Sequence, residues 1–133
     1  MTKIFLITIL LFLYHPQKII LHVIVKNIQK GKGDIDIAIY DNKANFFKKA
    51  FAEETLPANA DSLEYSFYIS TGEYAVEVYQ DINKNKKLDK GIFSIPTEPY
   101  GLSNNFRPFL SAPTFDDCKF KATKSETIRI KLK

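Results

Sequence analysis

Oxygen-bearing side chains recur at alternate positions in one polar stretch of this sequence, Asp81-Ile82-Asn83-Lys84-Asn85-Lys86-Lys87-Leu88-Asp89. Asp81, Asn83, Asn85 and Asp89 stand at positions one, three, five and nine, and Lys87 at position seven offers a backbone carbonyl. Calcium is a hard cation that takes six to eight oxygens, and this spacing is that of the first part of an EF-hand loop. The expected cofactor is therefore Ca2+.

The stretch is not a complete EF hand. Position six, where the sharp turn calls for glycine, is Lys86, and position twelve, where a bidentate Glu belongs, is Ile92. Another carboxylate has to fold in, and Glu98 is the nearest, with Asp116 and Asp117 next. Few carboxylates among several lysines imply weak affinity, about 10⁻⁴–10⁻³ M, the range of extracellular modules. Asn and Asp also gather in hairpin loops without any metal, because they tolerate left-handed backbone and cap their own turns. The Leu88-Asp89 pair brings the two readings level, since an apolar residue there anchors such a loop.

A second candidate follows. Glu98-Pro-Tyr-Gly-Leu-Ser-Asn-Asn-Phe-Arg107 presents Tyr100, Asn104, Asn105 and Arg107 to a ligand such as a glycan or peptide. The competing reading is that these groups satisfy the backbone of their own loop.

Catalysis needs a nucleophile with a base, paired carboxylates or an open metal site. Cys118 is the only cysteine, so there is no disulfide framework, and it reads as a small buried core residue. His22 lies in an apolar run and His15 falls within an expected N-terminal leader and leaves with it, so neither partners a nucleophile, and no His/Cys set serves zinc. The acids Asp81, Asp89, Glu98, Asp116 and Asp117 leave a carboxylate hydrolase as a lesser alternative. The net charge is +4; Lys84, Lys86, Lys87 and Lys90 cluster, yet no basic helix or nucleic-acid module accompanies them. The expected protein is not an enzyme and not a nucleic-acid binder.

These residues need a scaffold, and the 133-residue chain has the length of one domain. Lys3 followed by the apolar run Ile4 to Tyr14 fits the h-region of a signal peptide over residues 1–17, although His15-Pro16-Gln17 carries no small-residue cleavage pattern. No cysteine follows for a lipid anchor. Removal leaves about 116 residues with no membrane span, exported to the periplasm or cell surface.

Ile19 to Val25 reads as a central strand. Asp34 to Tyr40 alternates strictly, as do Tyr65-Phe67-Ile69, Tyr74-Val76-Val78 and Ile128-Ile130-Leu132. Asn42 to Phe51 suggests a helical turn or two, and Lys90 to Phe115, with four prolines, suggests one long loop. The fold class is all-β: a single antiparallel sandwich of about seven strands, Greek key in connection.

Three motifs in order complete the reading: Ser70-Thr-Gly-Glu-Tyr-Ala-Val76 leading into Asp81-x-Asn83-x-Asn85-x-x-Leu88-Asp89, then Ile95-Pro-Thr-Glu-Pro-Tyr-Gly-Leu-Ser-Asn-Asn105, then Ala112-Pro-Thr-Phe-Asp-Asp117. Over about residues 18–133 the chain resembles the exported bacterial family of domain of unknown function 2141 (DUF2141). The resemblance implies a small secreted β-sandwich of transthyretin or immunoglobulin type with no assigned activity. Lys86, where the family tends to glycine, and Cys118, where it tends to alanine, depart from the pattern. The expected function is an accessory or binding module whose calcium loop orders the Pro-rich segment for a protein, peptide or glycan partner. Edge-strand assembly is the alternative.

Overall fold

The structure, a computed structural model, describes residues 15–133, so the expected signal peptide (residues 1–17) lies almost wholly outside the described residues. Eight strands follow in order: β1 (Lys18–Lys26), β2 (Asp34–Tyr40), β3 (Ala52–Pro57), β4 (Ser62–Ser70), β5 (Gly72–Asp81), β6 (Tyr100–Leu102), β7 (Phe120–Ala122) and β8 (Glu126–Lys131). One short helix, α1 (Phe115–Cys118), stands before β7, and 3-10 turns cover Ile92–Ser94 and Ser103–Asn105.

Alternation produces these strands. In β1 and β2 every second side chain is buried (Leu21, Val23 and Val25; Ile35, Ile37 and Ile39), which fixes one face of each strand inward. One sheet runs β4-β1-β8 and the other β3-β2-β5-β6, with β7 also pairing β5. Their inner faces share one core, in which Leu21, Val23 and Val25 meet Ile35, Ile37, Val76, Val78, Phe67, Ile69, Ile130 and Leu132. The expectation of a β-sandwich holds, with one difference. β1 and β8 pair in parallel, Leu21 opposite Glu126 through Lys26 opposite Lys131, within an otherwise antiparallel molecule.

The second sheet has another apolar layer on its outside. Tyr40, Phe46, Ala75, Leu102, Phe115 and Cys118 form it, contributed by β2, β5, β6, α1 and the 41–51 segment. That segment is a run of turns, not the helical turn or two expected over Asn42 to Phe51. Left-handed backbone at Phe47 (φ 58°) breaks the helical path and leaves Phe46 as the buried ring. The expected long loop, Lys90 to Phe115, is likewise interrupted: β6 inside it pairs with β5 at Glu77–Tyr79, while β7 takes Gly72–Tyr74. In the gap between them the Ser103 hydroxyl accepts the Val76 N–H (2.9 Å) and donates to the Cys118 carbonyl (2.5 Å).

The two sheets meet at one corner. Tyr100 and Lys133 exchange backbone hydrogen bonds (3.2 and 3.1 Å), joining β6 to the chain beyond β8. Close approach here requires glycine: a Cβ on Gly101 would stand 2.5 Å from Ile130 Cγ2 and 3.0 Å from the Lys131 carbonyl oxygen. Gly101→Ala should therefore lower stability in urea unfolding by about 1–3 kcal/mol, the usual cost of overpacking a filled interior. Gly72→Ala, whose added methyl makes ordinary contacts, should cost less.

Candidate functional site

β5 delivers Asp81 to the end of the second sheet, where it is 1% exposed. The base beneath it is tied by hydrogen bonds. The buried Gln80 amide accepts the Gln29 N–H (2.9 Å) and donates to the Gln29 and Lys32 carbonyls (2.8 and 2.6 Å). Gly33, at φ 64°, lies so close that a side chain there would collide with the Asp81 carbonyl.

The loop curls around the Asp81 carboxylate. Oδ1 accepts the Asn85 N–H (3.1 Å) and Oδ2 the Lys86 N–H (2.7 Å). Curling this tightly puts Lys84 (φ 57°) and Lys86 (φ 61°) in the left-handed region. Lys86 thus adopts the conformation that glycine holds at position six of a calcium loop. The departure at that position changes the strain, not the path.

Further round, Asn83 Nδ2 donates to Asp89 Oδ2 (2.6 Å) and Asn85 Nδ2 to Asp89 Oδ1 (2.8 Å). The amide oxygens of Asn83 and Asn85 accept the Asn85 N–H (3.2 Å) and the Lys87 N–H (3.0 Å). Asp81, Asn83, Asn85 and Asp89 are therefore gathered in one loop, with Lys87 on its rim. Glu98, 9% exposed, stands against both ends: Oε1 accepts the Ile82 N–H (2.9 Å) and Oε2 the Asp89 N–H (3.0 Å). Thr97 adds backbone and hydroxyl bonds to the Asp89 carbonyl (2.8 and 3.1 Å).

The other acids lie elsewhere. Asp116 pairs with Lys43 (2.6 Å) and Lys119 (3.2 Å), which hold its carboxyl below the usual range, and Asp117 closes a capping box with Thr114. Among the described residues no group of three or more His, Cys, Asp and Glu side chains is arranged to hold a metal ion.

The second candidate set is engaged with backbone. Asn105 donates to the Arg129 carbonyl (3.1 Å) and accepts the Lys131 N–H (3.1 Å); Arg107 donates to the Tyr100 and Lys131 carbonyls (3.1 and 2.9 Å). The Arg107 guanidinium also lies over the Tyr100 ring at 5.1 Å, and Asn104 donates to the Lys119 carbonyl (3.0 Å). Tyr100, Asn105 and Arg107 close the free edge of β8.

Strand alternation places Glu77 opposite Val76 and Val78, on the face that should meet water. The structure buries it (8% exposed) between Ala38 of β2 and Leu102 of β6, under the outer apolar layer. Burial pushes its carboxyl up to about 7, with Lys90 offsetting part of the effect. The one signal for this was the aromatic content outside the strands: Phe46, Phe106 and Phe115 need a surface to cover. Burial, with Asp117 and Glu77 adding to it, also pushes the Cys118 thiol up to about 12, so it stays protonated and unreactive at neutral pH. Nearer the loop, burial raises the Asp36 carboxyl, helped by Asp81 and Asp34, against a hydrogen bond from Thr55 (2.5 Å). Burial and the charges of Asp36, Asp81, Glu77 and Glu98 raise the Tyr79 hydroxyl.

Over residues 23–130 the chain matches the family described as uncharacterized protein conserved in bacteria (DUF2141). No curated protein and no solved structure matches it.

Lys86→Gly removes a left-handed side chain and should stabilise the fold by about 1 kcal/mol in urea unfolding with chelator present. For Glu77 the folded carboxyl sits above its ordinary 4.5, so the folded state holds the proton longer. Its contribution is fully present below pH 4.5 and is lost as pH rises to about 7. The loss amounts to roughly 3 kcal/mol, and Glu77→Gln should flatten that part of the stability–pH curve.

Proposed function

Since the chain belongs to the DUF2141 family, whose matched span runs from β1 into β8 without an assigned activity, function rests on its own residues. We propose that it is an exported, non-enzymatic accessory module whose Asp81–Asp89 loop takes calcium and thereby fixes the surface from Lys90 to Pro99. The carrying observation is the gathering of Asp81, Asn83, Asn85 and Asp89 around one turn whose sixth position is left-handed.

The donor set fits a hard cation in kind, being all oxygen. Asp81 and Asp89 supply charge, Asn83 and Asn85 supply amide oxygens once rotated toward Asp89, and Lys87 supplies its carbonyl. Glu98 acts as a positioning residue, since it bridges the two ends of the loop through the Ile82 and Asp89 amides. Water completes the shell. Two carboxylates beside four lysines keep the affinity weak, about 10⁻⁴–10⁻³ M.

The chemistry of the bound ion is cross-linking. Asp89 and Asp81 would hold it together, and Asp89 carries the Thr97–Glu98 segment through its backbone bonds. Edge assembly, the second reading, has one observation in its favour: β4 is a nine-residue edge strand whose only charged residue is Glu64.

Thermal unfolding in about 10 mM calcium against chelator should show a gain of roughly 1.4–2.7 kcal/mol, several degrees in midpoint. Magnesium should give less, and Asp89→Asn should abolish the gain while leaving the chelated midpoint nearly unchanged. Coincident midpoints with calcium and with chelator would sink the reading.

A further inference from the structure

We propose that the tip from Lys84 to Ile95 docks the protein onto anionic lipid surfaces. The inference does not require the cation, because it rests on a different observation.

Immediately after the Asp81–Asp89 loop, Ile92, Phe93 and Ile95 are 79%, 91% and 62% exposed. They are held out by a defined turn. The Gly91 N–H donates to the Ile95 carbonyl (2.8 Å), the Ile95 N–H to the Ile92 carbonyl (3.3 Å), and Lys90 bridges to Pro96. Phe93 (φ 59°) and Ser94 (φ 57°) take left-handed backbone within it. An apolar tip built on strained backbone is a feature that folding alone does not call for.

Charge identifies the occupant. Lys84, Lys86, Lys87 and Lys90 are all exposed, and of the four only Lys84 forms an ion pair, with Asp34 at 3.9 Å; Lys86 and Lys90 act on Asp36 and Glu77 from farther off. The flanking acids Asp81 and Glu98 are buried on backbone amides, and the half-exposed Asp89 is engaged by Asn83 and Asn85. The outward surface is thus cationic with an apolar point. A bilayer rich in phosphate diesters meets both at once, ammonium groups at the headgroups and the Ile and Phe side chains at the acyl boundary. A convex tip enters such a fluid surface without a complementary groove, which an acidic protein partner would have to supply.

Co-sedimentation with phosphatidylglycerol–phosphatidylcholine vesicles, against phosphatidylcholine alone, tests this in chelator. The full chain is used in every arm, so the apolar run Ile4 to Tyr14 contributes equally throughout. Binding should favour the anionic vesicles and weaken with salt. Each Lys→Gln change among the four should reduce partitioning about fivefold, and Ile92→Ser with Phe93→Ser at least about tenfold, at unchanged thermal midpoint. Equal partitioning to both vesicles overturns the proposal, as does indifference to the Ile92 and Phe93 changes. Binding to soluble polyglutamate that depends on Ile92 and Phe93 as strongly would also overturn it, in favour of an acidic protein.

Discussion

A carboxylate removed from water must be given hydrogen-bond donors, and Asp81 and Glu98 obtain theirs from the backbone of one loop. The four donors are the N–H groups of Asn85, Lys86, Ile82 and Asp89. Satisfying two buried acids therefore dictates the loop's path, including the left-handed turns at Lys84 and Lys86. The same bonds set where the next strand begins. Glu98 leads into Pro99, whose carbonyl accepts the Gln80 N–H (2.8 Å), and β6 then lies in register beside β5. With acids drawn inward, the lysines between them have only the outside left.

Much of the scaffold was legible because alternation leaves a trace. β1, β2, β4, β5 and β8 each place β-branched, aliphatic or aromatic residues at every second position, and each was readable in the chain. β3 was not, because Ala-Glu-Glu-Thr-Leu-Pro carries little apolar signal; it exists as an edge strand through its pairing with β2. β6 and β7 are three residues each, too short for a pattern, and β6 hides among prolines. The parallel partner of β1 was equally invisible, since pairing direction is decided by topology and not by composition.

The candidate loop was legible as a spacing, but not as a network. Residue type placed Asp81, Asn83, Asn85 and Asp89 together; it did not say that Glu98 would grip amides, or that Asn105 and Arg107 would cap a strand edge. Those roles depend on backbone groups, which every residue carries alike. Glu77 was missed for a related reason: two-fold alternation has no means of marking a second apolar layer laid over the outward face.

The parallel pairing of β1 with β8 has a kinetic consequence. Leu21 to Lys26 find one neighbour in β4, about forty residues on, but the other only in Glu126 to Lys131, more than a hundred residues away. Closing so long a loop costs chain entropy before any contact repays it, and topologies rich in such pairings fold slowly. The central strand of the first sheet therefore stays half-paired until β8 has been synthesised. A nascent chain of this design has no complete fold until β8 is made, so its tertiary structure belongs to the polypeptide that carries both strands.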